Sequence, residues 1–269
     1  GDHRDLHYPL RRQRQMCIRD RIYGDGSLAD PYRGINNGDF TVSGTKYFNS
    51  NFGVASGTLT LMPGTRLISI SKYACIIITG TGQLNAQGTS SRHVTITADL
   101  DQDYIPGEST DFWGNINMSS TGSSTLNYCT IENGRRTRFS YLGGAIYIGN
   151  GTVTITNSLI RNSAASRGGG IYVESGTAPL ISNTTFYNNK ATDHGGALFI
   201  SEGSAPVISS SLFRNNQSLS TLHRGGSIAV LSATPVIVNS TVAYSTSPAV
   251  DGTSIYLEAV SYTHLRAHE

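Results

Sequence analysis

The sequence predicts an all-β fold in which short parallel strands stack coil upon coil. Three observations predict it. Two apolar landmarks recur in step through the second half of the 269-residue chain, at spacings near 27 residues. Short stretches alternate apolar and polar residues, as half-buried strands do. Gly, Ser, Thr, Asn and Asp, which favour turns, separate these stretches, and no helical period of useful length is present.

The first strand of each repeat is the clearest. In Ile146-Tyr147-Ile148 the two aliphatic side chains share one face and the aromatic ring takes the other. The landmark aliphatics of this strand recur at spacings of 25, 27, 30 and 27 residues, at Ile146, Ile171, Leu198, Ile228 and Ile255.

The second strand follows a proline, and the third contains the second landmark. The second strand is repeated at Pro179 to Asn183, Pro206 to Ile208 and Pro235 to Asn239. Strands of three to five residues cannot bury a face alone, so each is predicted to pair in parallel with its counterpart one coil away, at about 4.8 Å. The third-strand landmarks recur at spacings of 29, 26, 27 and 29 residues, at Ile131, Ile160, Phe186, Phe213 and Val242.

The turns between strands carry glycine pairs and asparagines. We expect the Gly-Gly pairs to form tight turns with positive φ. We expect Asn157, Asn183 and Asn239 to point inward and to bind turn backbone in a ladder. The sequons that begin at Asn183 and Asn239 are therefore interpreted as ladder positions and not as glycosylation sites.

These repeats resemble those of right-handed parallel β-helix proteins, a family that includes pectate-lyase-like enzymes and many bacterial surface proteins. The glycine runs Gly143 to Ile146 and Gly195 to Leu198, paired with Phe186 to Asn189 and Phe213 to Asn216, also resemble the repeats of polymorphic outer-membrane adhesins. The resemblance implies a right-handed parallel β-helix solenoid, for which we expect eight or nine coils of roughly 27 residues.

The resemblance covers about residues 25 to 260 and begins with opening coils similar to those of secreted bacterial β-helix proteins, at 57 to 71 and 80 to 99. It implies an extracellular or bacterial cell-surface location. Because the same fold carries lyases, hydrolases, adhesins and structural stalks, it implies no single function.

The two ends of the chain break the pattern. Residues 1–21 and 260–269 resemble translated sequencing-library adapter and are interpreted as non-native. We assign residues 22–56 to an N-terminal capping segment and 57–259 to the β-helix. Since an open strand edge is normally covered, we expect the natural protein to continue beyond its last visible strand.

Charge and cysteine content narrow the function classes. The chain has a net charge of +2, but residues 1–21 contribute six Arg and three Asp, so the remainder is near −1 and predicts no nucleic-acid partner. Cys75 and Cys129 are far apart in sequence and predict buried thiols, not a bridge or a metal site. No apolar run approaches the length of a membrane helix.

A charged column before the Gly-Gly turns is the candidate catalytic site. A histidine between arginines has its protonated form disfavoured, and a neighbouring carboxylate can orient it as a general base. The alternative is a solvated turn whose charges alternate. The candidates are Arg167, Asp193, His194, His223 and Arg224.

An aromatic column in the first strand is the candidate ligand site. If the flanking aliphatics point inward, these rings form an outward strip, interrupted by Ala229, that suits stacking against sugar rings or a partner. The alternative is cross-strand packing that stabilises the sheet. The column comprises Tyr147, Tyr172, Phe199 and Tyr256.

The run Asp99, Asp101 and Asp103 is the candidate metal site. Its alternation is that of a calcium-binding loop, although it lacks the glycine and the distal Glu of an EF-hand. The alternative is a solvated loop. Calcium is the one cofactor that the sequence suggests, and none is required by it.

The sequence thus predicts a secreted or cell-surface scaffold that binds a polysaccharide, a cell-surface glycan or a protein partner, in the manner of an adhesin. The alternatives are a lyase or glycoside hydrolase acting on an acidic polysaccharide, and an inert structural stalk.

Overall fold

A computed structural model shows the predicted right-handed parallel β-helix. It has about seven turns of ~27 residues, slightly fewer than the eight or nine expected. None of the described residues is helical, so none forms a helix with the length and hydrophobicity that a membrane crossing requires. The structure describes residues 21–103, 110–135, 142–221, 225–248, 254–258 and 265–267.

The strands are short, and most have three to six residues. In chain order they are β1 (Tyr32–Asn37), β2 (Phe40–Val42), β3 (Thr45–Ser56), β4 (Thr58–Leu61), β5 (Arg66–Ser69), β6 (Ile76–Gly80), β7 (Gln83–Gln87), β8 (Val94–Ala98), β9 (Ile116–Ser120), β10 (Ser123–Asn127), β11 (Cys129–Glu132), β12 (Ile146–Ile148), β13 (Thr152–Thr156), β14 (Leu159–Arg161), β15 (Ala164–Arg167), β16 (Ile171–Val173), β17 (Leu180–Ser182), β18 (Thr185–Tyr187), β19 (Lys190–His194), β20 (Leu198–Ile200), β21 (Val207–Ser209), β22 (Leu212–Arg214), β23 (Gln217–Ser218), β24 (Ile228–Leu231), β25 (Val236–Ala243), β26 (Ile255–Glu258) and β27 (Leu265–Ala267).

These strands pair in parallel as three long ladders and one short ladder. The first ladder runs β1, β3, β6, β9, β12, β16, β20, β24, β26. The second runs β2, β4, β7, β10, β13, β17, β21, β25, β27. The third runs β3, β5, β8, β11, β14, β18, β22, β25, and the short fourth ladder is β15, β19, β23.

Strand pairing reaches both ends of the described chain. β1 pairs with β3 within residues 22–56, and β27, inside 260–269, pairs with β25. The assignment of 260–269 as non-native stays a prediction, and residues 1–20 lie outside the described part of the chain.

The core lies inside the coils and is built from equivalent positions of successive strands. In the first ladder Ile146 pairs with Ile171, which pairs with Leu198, and all three are fully buried. Each buried position therefore meets a side chain of similar size one coil away, which explains why the repeat is strict in pattern and loose in letters.

The third ladder shows what the phenylalanine and asparagine of the repeat do. The rings of Phe186 and Phe213 stack in the core with centroids 4.6 Å apart. Asn189 is fully buried, and its Nδ2 donates to the carbonyl of Ile160, at 2.9 Å. Asn216 donates in the same way to the carbonyl of Phe186, at 3.0 Å. These side chains satisfy carbonyl groups of third-ladder strands that stacking removes from water.

The prediction that Asn157, Asn183 and Asn239 point inward is wrong. All three have positive φ; Asn157 is half-buried and the other two are exposed. Asn183 Nδ2 donates to Asn157 Oδ1, so the amides form a ladder on the outer surface. Asparagine suits these positions because it adopts the left-handed backbone conformation at a low cost in free energy. The inward asparagines are instead Asn189 and Asn216, each the second residue after a strand of the third ladder.

The glycine pairs form the expected tight turns. The first and the second glycine of a pair are required for different physical reasons. Gly168 and Gly195 have positive φ, of 62° and 63°, as predicted. The second glycine is needed for a close approach, because a Cβ on Gly196 would lie 2.2 Å from the carbonyl oxygen of Gly226 in the next coil. The turn therefore holds adjacent coils in backbone contact.

Both described cysteines are buried free thiols, as predicted. Burial raises the pKa of Cys129 to about 12, so this thiol stays protonated at neutral pH. A protonated buried thiol is a core side chain and not a metal ligand.

Candidate functional site

The charged column before the Gly-Gly turns is partly assembled. Arg167 and His194 face each other in the fourth ladder. The Nε of Arg167 lies 2.9 Å from one carboxylate oxygen of Asp193, and the Nε2 of His194 lies 3.8 Å from the other. The remaining candidates, His223 and Arg224, lie outside the described residues.

This cluster is covered and internally neutralised. His194 is only 6 % exposed. Its ring lies 5.8 Å from that of Phe199 and 6.1 Å from that of Tyr256, and the guanidinium of Arg167 lies 5.5 Å from the Phe199 ring. A general base must reach the proton that it removes. In this conformation His194 packs against aromatic rings, while Asp193 is engaged by Arg167.

The aromatic column forms as a stack outside the core. The rings of Tyr147 and Tyr172 are 5.7 Å apart and nearly parallel, and those of Tyr172 and Phe199 are 5.0 Å apart. Together with Ala229 they form a second apolar cluster, separate from the core. Tyr256 packs against it at the far end.

The middle of this stack is not open to a ligand. Tyr172 is 5 % exposed and Phe199 is 1 % exposed, and the side chains of Arg167 and His194 pack against the Phe199 ring. The strip therefore differs from the exposed surface expected. Tyr147 and Tyr256 remain half-buried, and their part in ligand binding stays a prediction.

Tyr147 is held by an acidic neighbour. Its hydroxyl donates to Oε2 of Glu174 at 2.6 Å. Burial, reinforced by that carboxylate, raises the pKa of Tyr147 well above its usual range. The phenol is thus a fixed donor that orients the ring at the edge of the stack.

The acidic run after β8 is compact. One carboxylate oxygen from each of Asp99, Asp101 and Asp103 lies within 4.8 Å of the other two. Asp99 is buried and the other two are exposed. The three side chains therefore converge as a metal loop requires, although convergence of exposed carboxylates also occurs without a metal.

A fourth surface was not found from the sequence. On the outer face of the third ladder, Tyr187 and Arg214 occupy equivalent positions in adjacent coils. The guanidinium of Arg214 lies 5.5 Å from the ring of Tyr244, which is 74 % exposed. We call Tyr187, Arg214 and Tyr244 the Tyr-Arg face. The sequence signal for this face is weak. Tyr187 follows Phe186, and Arg214 follows Phe213 at the equivalent position of the next repeat.

The charge of this face comes from Arg214, which has no ion-pair partner in the part of the chain that the structure describes. Below Tyr187, Arg161 occupies the same column, and its Nη2 binds Oε2 of Glu132 at 2.6 Å. Arg161 is thereby neutralised. Arg214 is exposed and forms no salt bridge with any described residue. The Tyr-Arg face therefore offers two accessible rings and one uncompensated cation.

Comparison with known families agrees with the fold. The model described as "Right handed beta helix region" matches residues 113–266, more than half of the chain. Comparisons with curated proteins and with solved structures give no match.

Proposed function

Because the chain belongs to the right-handed β-helix family, we propose that it is a secreted or cell-surface scaffold that binds an acidic polysaccharide, in the manner of an adhesin. The observation that carries this proposal is the Tyr-Arg face. There Arg214 lies beside two exposed tyrosines on a sheet that the stacked coils hold rigid.

The chemistry of that face suits an acidic sugar chain. The planar guanidinium of Arg214 can bind a carboxylate or sulfate through two parallel hydrogen bonds. Tyr187 and Tyr244 present ring faces against which a pyranose can pack, with little loss of side-chain entropy. Adjacent coils lie about 4.8 Å apart, so the surface extends as a flat track suited to a polymer.

A polysaccharide lyase or hydrolase is the second candidate. The observation that favours it is the convergence of Arg167, Asp193 and His194. The burial of His194 and the Arg167 salt bridge rank it below a binding scaffold. A structural stalk, the third candidate, predicts no ligand at all.

Arg214→Ala and Tyr187→Ala are expected to weaken binding to an acidic polysaccharide by roughly tenfold each, about 1.4 kcal/mol. The measurement is a glycan array probed with the unsubstituted 269-residue chain, followed by titration of the best acidic ligand. Binding should also weaken at high salt, because the Arg214 contact is exposed.

The matched controls are Tyr73→Ala and Arg33→Ala, which remove an exposed tyrosine and a partly exposed arginine from other surfaces. These variants should bind like the native chain. If all four variants bind equally, the Tyr-Arg face is not the site; if no glycan binds, the stalk is favoured.

A further inference from the structure

We propose that the loop after β8 binds a calcium ion through Asp99, Asp101 and Asp103, with Asp111 as a fourth acidic ligand. Three carboxylate oxygens of the run lie within 4.8 Å of one another. Oxygens that share a Ca²⁺ at 2.3–2.6 Å are separated by distances of this order. The loop thus brings together a set of donors that a single ion can bridge.

Asp111 supplies the independent observation. It is 2 % exposed, and its Oδ1 accepts a hydrogen bond from the backbone N–H of Leu100, at 2.8 Å. That N–H lies between Asp99 and Asp101, so the Asp111 carboxylate lies against the backbone of the acidic run, beside the group of three carboxylates that lie within 4.8 Å of one another. Its other oxygen, Oδ2, is buried and accepts no hydrogen bond from the part of the chain that the structure describes.

A buried carboxylate oxygen without a partner raises the free energy of the folded state, because burial removes the water that would stabilise its charge. No described residue forms a salt bridge with Asp111. Two basic side chains, Lys72 and Arg135, lie against the ring of the adjacent residue Phe112, at 5.4 and 4.5 Å from its centroid. A cation in the loop would satisfy Oδ2 and offset the repulsion among the carboxylates.

Both ends of the loop are fixed to the solenoid. The N–H of Asp99 donates to the carbonyl of Ser69, at 2.9 Å. The carbonyl of Asp111 accepts from Nδ2 of Asn133, at 2.9 Å. Trp113 fixes the chain between Asp111 and β9, because its indole packs edge-on against Phe48 in the core. The buried ligands are therefore held in place before an ion arrives.

The donor set selects the ion. The group consists of carboxylates, and no His or Cys belongs to it among the described residues, which disfavours zinc. Magnesium demands a regular octahedron and keeps several waters, whereas calcium accepts many carboxylate oxygens in irregular geometry. Two exposed and two buried carboxylates on an irregular loop fit calcium.

The test uses terbium(III) as a luminescent substitute for calcium. Trp113 is the single tryptophan of the chain and lies two residues from Asp111, so it can sensitise terbium bound in the loop. Tryptophan-excited terbium emission from the full-length chain should saturate, and calcium should displace it far better than magnesium does. Asp101→Asn and Asp111→Asn should each weaken terbium binding by roughly tenfold or more.

Asp101 is exposed, so its amide variant should fold normally, and Glu202→Gln is the matched control at an exposed turn. Calcium should also raise the Tm of the native chain and of Glu202→Gln, but not that of Asp101→Asn, because only an ion bound to the folded state stabilises it. Absence of sensitised emission from the native chain, or equal affinity in Asp101→Asn and Glu202→Gln, would overturn the proposal.

Discussion

Replacing Ile181 with aspartate should unfold the coils on either side of it and lower the free energy of unfolding by more than about 4 kcal/mol. Ile181 is fully buried in the second ladder, between Ile155 and Ile208 of the neighbouring coils. The aspartate would have no basic partner and no water in that position. The measurement is thermal and urea unfolding followed by circular dichroism.

Ile181→Val is the control for this experiment, since it removes one methylene from the same site and should cost about 0.5–1.5 kcal/mol. A Tm for Ile181→Asp equal to that of Ile181→Val would mean that residue 181 does not face the core. The alternation of the second ladder would then be shifted by one residue.

The second large effect is expected from Gly196→Ala. The added Cβ would lie 2.2 Å from the carbonyl oxygen of Gly226 and 2.5 Å from that of Gln217, both backbone atoms of the next coil. Neither can move away without breaking the hydrogen bonds between coils, such as that from the N–H of Ala197 to the carbonyl of Ser227, at 2.9 Å. The variant should lose about 3 kcal/mol or more.

Gly203→Ala is the control that measures the cost of left-handed backbone alone, without a close approach to another coil. Gly203 has φ of 71°, but a Cβ there would meet no atom closer than 3.8 Å. It should lose only about 1–2 kcal/mol, the cost of left-handed backbone for alanine. Urea unfolding of the two variants gives the comparison, and equal losses would contradict backbone contact at Gly196.

The fold could be predicted because stacking imposes a rule on the sequence. Ile146, Ile171 and Leu198 must be similar in size, since each packs on its counterpart one coil away. The glycine turns follow for the same reason. The turn count differs slightly from the expected number of coils and is compatible with it.

Side-chain direction at the turns was harder to predict. Asn188 and Asn189 are neighbours of the same residue type, yet Asn188 has positive φ and is exposed, whereas Asn189 is buried. Backbone conformation, which sequence period does not encode, decides between them. The same limitation explains why Asn183 was placed on the wrong side.

The exposure and the composition of the candidate sites depend on contacts between coils. The alternation of apolar and polar residues within one strand does not reveal these contacts. Phe199 alternates as an outward residue should, but Arg167 and His194 of the fourth ladder cover it. The Tyr-Arg face was missed because Tyr187 and Arg214, which differ in type, are neighbours only after the coils stack. Asp111 is distant from the acidic run in sequence, and its contact with Leu100 appears only in the structure.

The most direct test of a binding scaffold measures retention and cleavage of an acidic polysaccharide in the same sample. The native chain is mixed with the polymer, bound polymer is separated with the protein, and the absorbance of unsaturated uronate is followed. We predict that the polymer is retained, that Arg214→Ala retains less of it, and that the absorbance does not rise. Release of unsaturated uronate that is abolished in His194→Ala would contradict the account and identify a lyase.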